Sequence, residues 1–189
     1  MAKTIYRVLL ESELRKAFAK LSPGKVLDAG GASSPYRELV PHMEYLCLDL
    51  NAGHKPDIVG DVHCLPLKNG SFDTVIATEL LEHCRDPKKV VSEFRRVLKK
   101  GGAVVASCPF IYHYHGDDFS KDYWRFSSDG LKELFSGFSS AEIFPHGSFT
   151  TTALNLFFCK FPFLNRLSGI ASKIRIGNLP SGHVILAIK

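Results

Sequence analysis

The sequence holds no Cys-x-x-Cys pair, and its five cysteines (Cys47, Cys64, Cys84, Cys108, Cys159) are odd in number and widely spread. That excludes a disulfide framework and a paired-thiol zinc site, and predicts reduced thiols in a cytoplasmic compartment. It also lacks any run of about 18 uncharged apolar residues, so no segment reads as a bilayer-spanning helix. The opening stretch, MAKTIYRVLLESELRKAFAK, is interrupted by Glu11 and Glu13 and does not read as a secretory leader. Internal repeats, low-complexity tracts and interdomain linkers are missing too. Excess charge is small: a net +5 permits an anionic partner such as a membrane surface without demanding one, and gives no strong nucleic-acid signal. What is present is ordinary for one globular domain over residues 1–189, with 45% hydrophobic and 23% charged residues, enough for a proper core.

The chain is organised around Lys25–Tyr36, KVLDAGGASSPY. Lys25 to Ala29 reads as a short buried strand, and Gly30-Gly31 permits a tight turn where a side chain would collide. Ser33 or Ser34 then predicts a helix cap, with Pro35 in the first helical turn. A strand, a glycine turn and a helix start make a ligand-binding loop, because helix N-terminal N–H groups point outward. The next strand, Glu44 to Leu48, ends in Asp49, about 20 positions after Asp28, the spacing at which a carboxylate reaches ribose hydroxyls. A pyrophosphate cofactor wants an uncharged Gly-x-Gly-x-x-Gly loop. Here Asp28 stands at the loop and Ala32 replaces a glycine. A carboxylate repels pyrophosphate but attracts an ammonium or sulfonium. S-adenosylmethionine carries both cations and no phosphate.

The rest alternates. Residues 5–20 predict an amphipathic leading helix, through Val8, Leu9, Leu14, Ala17 and Phe18. Asp57 to Val62 is a short apolar run containing Asp61, and Phe72 to Ala77 is another buried strand. Asp86 caps and Pro87 opens a helix expected to run to Lys100, with Val90, Val91, Phe94, Val97 and Leu98 on one face and Gly101-Gly102 as its stop. Ala103 to Ser107 is the next strand, and Phe138 to Phe144 and Gly182 to Ile188 are two more. Strands alternating with helices predict a doubly wound α/β architecture.

The run LDAGG, then CLDLN, then GDVHCLPLKNGSFDTVIATELLEH, then RRVLKKGG resembles the class I S-adenosylmethionine-dependent methyltransferases, in particular the small ubiquinone-pathway-like type, methyltransferase type 11. The resemblance covers roughly residues 25–107. It implies a Rossmann-like seven-stranded sheet with an antiparallel last strand, helices on both faces, and S-adenosyl-L-methionine as cofactor. It also implies a cofactor-binding set of Asp28, Ala29, Gly30, Gly31, Asp49, Leu50, Asp61, Val62 and Thr78. In that set Asp28, Gly30 and Gly31 cradle the methionine part and Asp49 holds the ribose. Asp61 and the Val62 N–H meet the adenine, and Thr78 ends the fourth strand beneath the sulfonium. The departure is Ala32 and Ser34 where glycines are usual.

Methyl transfer to a hydroxyl or acidic carbon needs a general base, and two stretches offer one. Glu79-Leu80-Leu81-Glu82-His83 follows the fourth strand, and also reads as helix surface with a capping role. It is similar to a phrase with which small-RNA 2′-O-methyltransferases hold Mg²⁺, although no metal is expected here. Pro109 to Phe126, PFIYHYHGDDFSKDYWRF, follows the fifth strand, and crowds His113, His115, Asp117, Asp118 and Asp122 among aromatics. Imidazole is the natural proton acceptor near neutral pH. His115 is therefore the first candidate catalytic residue and His83 the second. The phrase DYWRFS with DGLKELF resembles one in bacterial and archaeal methyltransferases that sit near cell-surface sugar genes, where Tyr123 to Phe126 serve structure. A small-molecule, glycan or lipid-linked acceptor is the expectation. A nicotinamide-dependent enzyme is disfavoured by Asp28, by the broken glycine fingerprint and by the lack of Tyr-x-x-x-Lys. A non-catalytic cofactor-binding regulatory module is the rival of a different class.

Between the sixth and seventh strands lies an insertion of about 148–181, rich in Phe and interleaved with Lys160, Arg166, Lys173 and Arg175. Pro162 and Lys160 break it, so it is too short to span a bilayer. It reads as a lid, a homodimer contact or a peripheral membrane contact.

Overall fold

A computed structural model describes residues 3–117 and 120–189. Seven strands form one sheet: β1 (Gly24–Ala29), β2 (His42–Asp49), β3 (Ile58–Val59), β4 (Phe72–Thr78), β5 (Leu98–Pro109), β6 (Ser140–His146) and β7 (Gly182–Ile188). Their order is β3-β2-β1-β4-β5-β7-β6. The first five are mutually parallel, and β7 runs antiparallel to both β5 and β6. This is the doubly wound sheet the alternation predicts. Its helices are α1 (Ile5–Phe18), α2 (Pro87–Val97), α3 (Ser128–Leu134), α4 (Phe149–Lys160) and the short α5 (Ser168–Ala171).

Successive strand residues point to opposite faces, so the sheet divides the core in two. Leu27, Val75, Val104 and Ile185 pack with Val90 and Phe94 of α2 and Leu131 of α3. Their neighbours Val26, Ile76, Val105 and Val184 pack with Leu10, Leu14 and Phe18 of α1 on the other face. Both faces being covered explains why these strands read as continuous apolar runs rather than alternating ones.

Local signals set most boundaries. Thr4 caps α1 by accepting from the Arg7 N–H, and Asp86 caps α2 by accepting from the Lys89 N–H at 3.0 Å. The expectation that α2 reaches Lys100 is corrected: the helix ends at Val97 and Leu98 opens β5, opposite Phe72. Leu98 is fully buried either way, so its apolar character extended the helical pattern without deciding the backbone. Gly101-Gly102 consequently lie inside the strand rather than at a helix stop.

A larger correction concerns the glycine loop, where no α-helix follows. Ala32 (φ 45°) and Ser34 (φ 48°) are left-handed, which curls the chain and forbids consecutive helical residues. Only one 3₁₀ turn, Arg37–Leu39, forms before β2. The loop therefore presents no helix N-terminus to a ligand.

The insertion folds as α4, a 3₁₀ turn over Pro162–Leu167, and α5. It is packed down on α1. The buried Asn155 Oδ1 accepts from the Tyr6 N–H at 3.0 Å, and Phe158 and Ala171 close on Ile5 and Leu9.

Candidate functional site

The carboxyl ends of β1, β2 and β4 open on a cavity of about 520 Å³, within the roughly 300–1,000 Å³ of small-molecule sites. Asp49 closes β2 with its carboxylate anchored to backbone. One oxygen accepts from the Ala32 N–H at 3.0 Å, the other from the Asn51 N–H at 2.8 Å, and His54 Nδ1 lies 3.2 Å away. Beyond β3, Asp61 accepts from the His63 N–H at 2.8 Å and meets the His63 ring at 2.7 Å. Burial pushes the Asp61 carboxyl up, but the His63 contacts and Lys89 outweigh it, so it is held below its ordinary value. Both side chains are thus held in place by short-range backbone donors.

Of the residues expected to bind cofactor, Gly30, Asp49, Leu50, Asp61 and Val62 line this cavity. Asp28, Ala29, Gly31 and Thr78 are not among its wall residues. Asp28 lies buried beneath the loop and accepts from the Tyr45 hydroxyl at 2.6 Å. A Cβ on Gly31 would stand 2.3 Å from its Oδ2, so the glycine is there to admit the carboxylate. Asp28 packs against the loop at Gly31 and Ser34. Thr78 ends β4, and the two residues after it, Glu79 and Leu80, reach the wall. Asn51, His54 and His63 line it as well, and sequence reasoning missed them. Their one signal is proximity to Asp49 and Asp61.

The described wall contains four acids (Asp49, Asp61, Glu79, Asp117), three histidines and neither lysine nor arginine. Such a cavity suits a ligand that carries cations and hydroxyls, and opposes one that carries phosphates.

Glu79 and His83 also line a second cavity of about 430 Å³, completed by Lys3, Thr4, Tyr6, Arg7, Tyr112 and His115. The leading helix thus delivers its first turn to the site, which its amphipathic pattern did not reveal. Glu79 is held at φ 53°, a strained conformation for a side-chain-bearing residue, with its N–H and carboxylate both bonded to Ser107 Oγ, at 3.1 and 2.8 Å. Glu82 is fully buried, and neither carboxylate oxygen has a hydrogen-bond partner of normal length. Burial pushes both carboxyls up, Glu79 further through the nearby Glu82.

His83 and His115 meet edge to face at 4.9 Å between ring centroids. His83 Nδ1 donates to the Lys121 carbonyl at 2.8 Å, and His115 Nδ1 donates to the His113 carbonyl at 3.3 Å, while Asp122 Oδ2 lies 3.1 Å from that nitrogen and accepts from the His115 backbone N–H at 3.0 Å. Both Nε2 atoms therefore turn to Glu82 Oε1, at 3.8 and 3.7 Å. The Glu82 carboxylate, then the His113 carbonyl and Asp122, raise the His115 pKa against the effect of burial. Asp122 is itself gripped by Arg125, with Nη2 to Oδ2 at 2.6 Å, and is held down at about 2. Glu82, His83 and His115 each offer a ligand atom within 4.8 Å of the others. Asp118 lies outside the described residues.

The phrase Tyr123 to Phe126 braces this arrangement. The Tyr123 and Trp124 N–H groups donate to the Glu82 carbonyl, and Trp124 Nε1 donates to the Cys84 carbonyl at 2.8 Å.

Residues 28–106 match the methyltransferase domain family. The demethylmenaquinone methyltransferase of Renibacterium salmoninarum is 34% identical over 100 residues, covering 45% of this chain and 41% of that protein. The chain thus spans less than half the length of this curated relative. Among solved structures, a SAM-dependent methyltransferase of Thermotoga maritima, described as a possible histamine N-methyltransferase, superposes with a TM-score of 0.64 at 18% identity, over 98% of this chain and 91% of that one. Haemonchus contortus phosphoethanolamine N-methyltransferase 2, solved with S-adenosyl-L-methionine, gives 0.63 at 16% identity, over 97% and 52%. Both likenesses are of fold. The matched stretch lies in the β1 to β5 half of this sheet, and over residues 28–106 the chain is similar to the class I methyltransferases of type 11.

Proposed function

We propose that the protein transfers a methyl group from S-adenosyl-L-methionine to a small-molecule, glycan or lipid-linked acceptor. The observation that carries this reading is the acid-lined cavity at the carboxyl edge of the sheet, free of lysine and arginine among its described residues. When bound, the cofactor supplies an electrophilic methyl group. Asp49 would hold its hydroxyls, Asp61 and the Val62 N–H its base, and the Gly30 turn its amino-acid end. Gly30 needs its glycine, because φ is +68° and a Cβ would meet Leu80 at 2.6 Å.

Acceptor binding falls to the second cavity, which shares Glu79 and His83 with the first. There His115 takes the proton of an acceptor hydroxyl on Nε2, while the His113 carbonyl fixes the tautomer through Nδ1 and Asp122 holds the His115 backbone N–H. Glu82 stabilises the imidazolium so formed. His83 is the alternative acceptor. Burial of the Glu79–Glu82 pair keeps the site dry and strengthens each of these interactions.

Isothermal titration tests the cofactor assignment: heat is expected with S-adenosyl-L-methionine and none with NAD. A mass spectrum of native protein should show copurified S-adenosylhomocysteine. No heat with the former cofactor overturns the proposal. Binding without transfer of labelled methyl to any fraction of a cell extract would instead favour a regulatory module.

One observation favours a second reading, metal-assisted transfer of the kind known for RNA 2′-O-methyltransferases. Glu82 has no close hydrogen-bond partner and two imidazole Nε2 atoms face it, a donor set suited to a divalent transition ion. Turnover abolished by EDTA and restored by Mn²⁺ would select that reading. Turnover indifferent to EDTA keeps His115 as the base.

A further inference from the structure

We propose that the surface of the 149–176 segment docks on an anionic lipid bilayer and sets the carboxyl edge of the sheet against it. The first observation is a partition of charge. All 19 Asp and Glu residues lie at or before Glu142, together with 19 of the 24 Lys and Arg, so the net +5 of the chain resides entirely in residues 143–189. Four of those five cations, Lys160, Arg166, Lys173 and Arg175, lie in this segment and are exposed. Among the described residues, every ion pair joins partners within residues 3–142, and these four form none.

The second observation is apolar. Of the fifteen large hydrophobic side chains exposed among the described residues, nine lie between Phe149 and Ile176. Phe163 is 70% exposed, Ile170 68% and Ile176 65%. Phe157, Phe161 and Phe163 form a continuous row, with ring centroids 5.0 and 6.3 Å apart. The segment nevertheless has a well-made inner side. Phe158 and Ala171 are buried against α1, and Thr150 and Thr152 tie α4 to the Ile174 and Leu179 carbonyls at 2.7 and 2.9 Å. The outward rings are therefore not an unfolded remnant of the core.

Apolar side chains mixed with unpaired cations, with no carboxylate, match an anionic headgroup layer over acyl chains. A second copy fits poorly, because a two-fold contact through this face would oppose cations with nothing to neutralise them. The Ile and Leu side chains, which cannot stack on bases, favour lipid over single-stranded nucleic acid. No helix among the described residues is long and apolar enough to cross a membrane, so the contact is superficial.

Placement gives the surface a purpose. β6 ends at His146 and β7 begins at Gly182, and Gly182 pairs with both His146 and Pro109. The segment thus leaves and re-enters the sheet at the carboxyl edge of β5, the edge that carries both cavities. Tyr112, on the wall of the second cavity, lies against the Cys159 thiol of α4. A docked molecule would present that cavity to an acceptor held in or at the bilayer.

The test is co-sedimentation of the full chain with phosphatidylcholine vesicles, with and without phosphatidylglycerol. At low salt the partition onto anionic vesicles should exceed that onto neutral ones by roughly tenfold or more, and fall steeply with added salt. Phe157→Ser with Phe161→Ser, and separately Lys173→Glu with Arg175→Glu, should each lower it by roughly tenfold. Affinity for S-adenosylhomocysteine should stay unchanged in both, reporting an intact fold. Protein left wholly in the supernatant with anionic vesicles at low salt overturns the proposal, as does partition that both variants leave unaltered. A dimer in sedimentation equilibrium that dissociates in the Phe157→Ser, Phe161→Ser variant overturns it in favour of a second copy, and vesicle binding abolished by competing single-stranded RNA overturns it in favour of nucleic acid.

Discussion

The two cavities share Glu79 and His83 yet are built on opposite electrostatic plans. In the first cavity, Asp49 and Asp61 meet backbone N–H groups within 3.0 Å, so the geometry of each is fixed before any ligand arrives. On the histidine side, Glu82 is buried with neither oxygen closely paired, Glu79 sits strained above it, and two imidazoles face it from beyond 3.5 Å. The first wall offers acceptors fixed in place. The second brings together Glu79 and Glu82, whose carboxyls burial pushes up, with His115, whose pKa Glu82 raises, an arrangement suited to proton transfer.

The largest break in this contrast is His115→Ala. Turnover should fall on the order of 10²-fold or more in steady-state assays, with cofactor affinity nearly unchanged. A collapse of cofactor binding instead would place His115 in the structure of the first wall. Next, Asp49→Ala should weaken S-adenosyl-L-methionine binding by about 1.5–3 kcal/mol in calorimetry, since a charge-assisted contact to hydroxyls is lost.

Behind the histidine wall, His146 is buried edge-on to Tyr6, and burial, with His183 adding to it, drops its pKa to about 3. Above about pH 6.5 the imidazole is neutral whether the chain is folded or not. Below that, the unfolded chain takes up the proton and the folded one does not until about pH 3. Stability is therefore full above pH 6.5 and lost as pH falls through this window, by up to about 1.4 kcal/mol per pH unit. Urea titrations of His146→Gln should show a flatter dependence between neutral and acid pH than those of the native chain. The smallest effect is expected away from both walls. Ser148→Ala removes the capping box with Thr151 at the start of α4 and should cost about 1 kcal/mol in thermal unfolding, without altering cofactor affinity.

Residue patterns alone determined the alternation of strands and helices, the Asp86–Pro87 start of α2, the Asp49 terminus of β2 and the Gly182 start of β7, because apolar periodicity and caps act over a few neighbouring residues. They failed where backbone conformation is settled by partners far along the chain. The Ser33-Ser34-Pro35 cap signal lost to a loop held over Asp28, whose carboxylate is fixed by Tyr45 on the adjacent strand. Leu98 became strand rather than helix because Phe72 lay opposite it. His83 and His115 were visible as candidates, but only the return of residues 121–125 across residues 82–84 brought them together over Glu82. Tyr6 and Arg7 reach the second cavity because α1 is laid across the sheet by packing, not by any feature of its own turns. Short-range chemistry is written in neighbouring residues, whereas the meeting of groups 30 to 100 positions apart is decided by how buried faces close on one another.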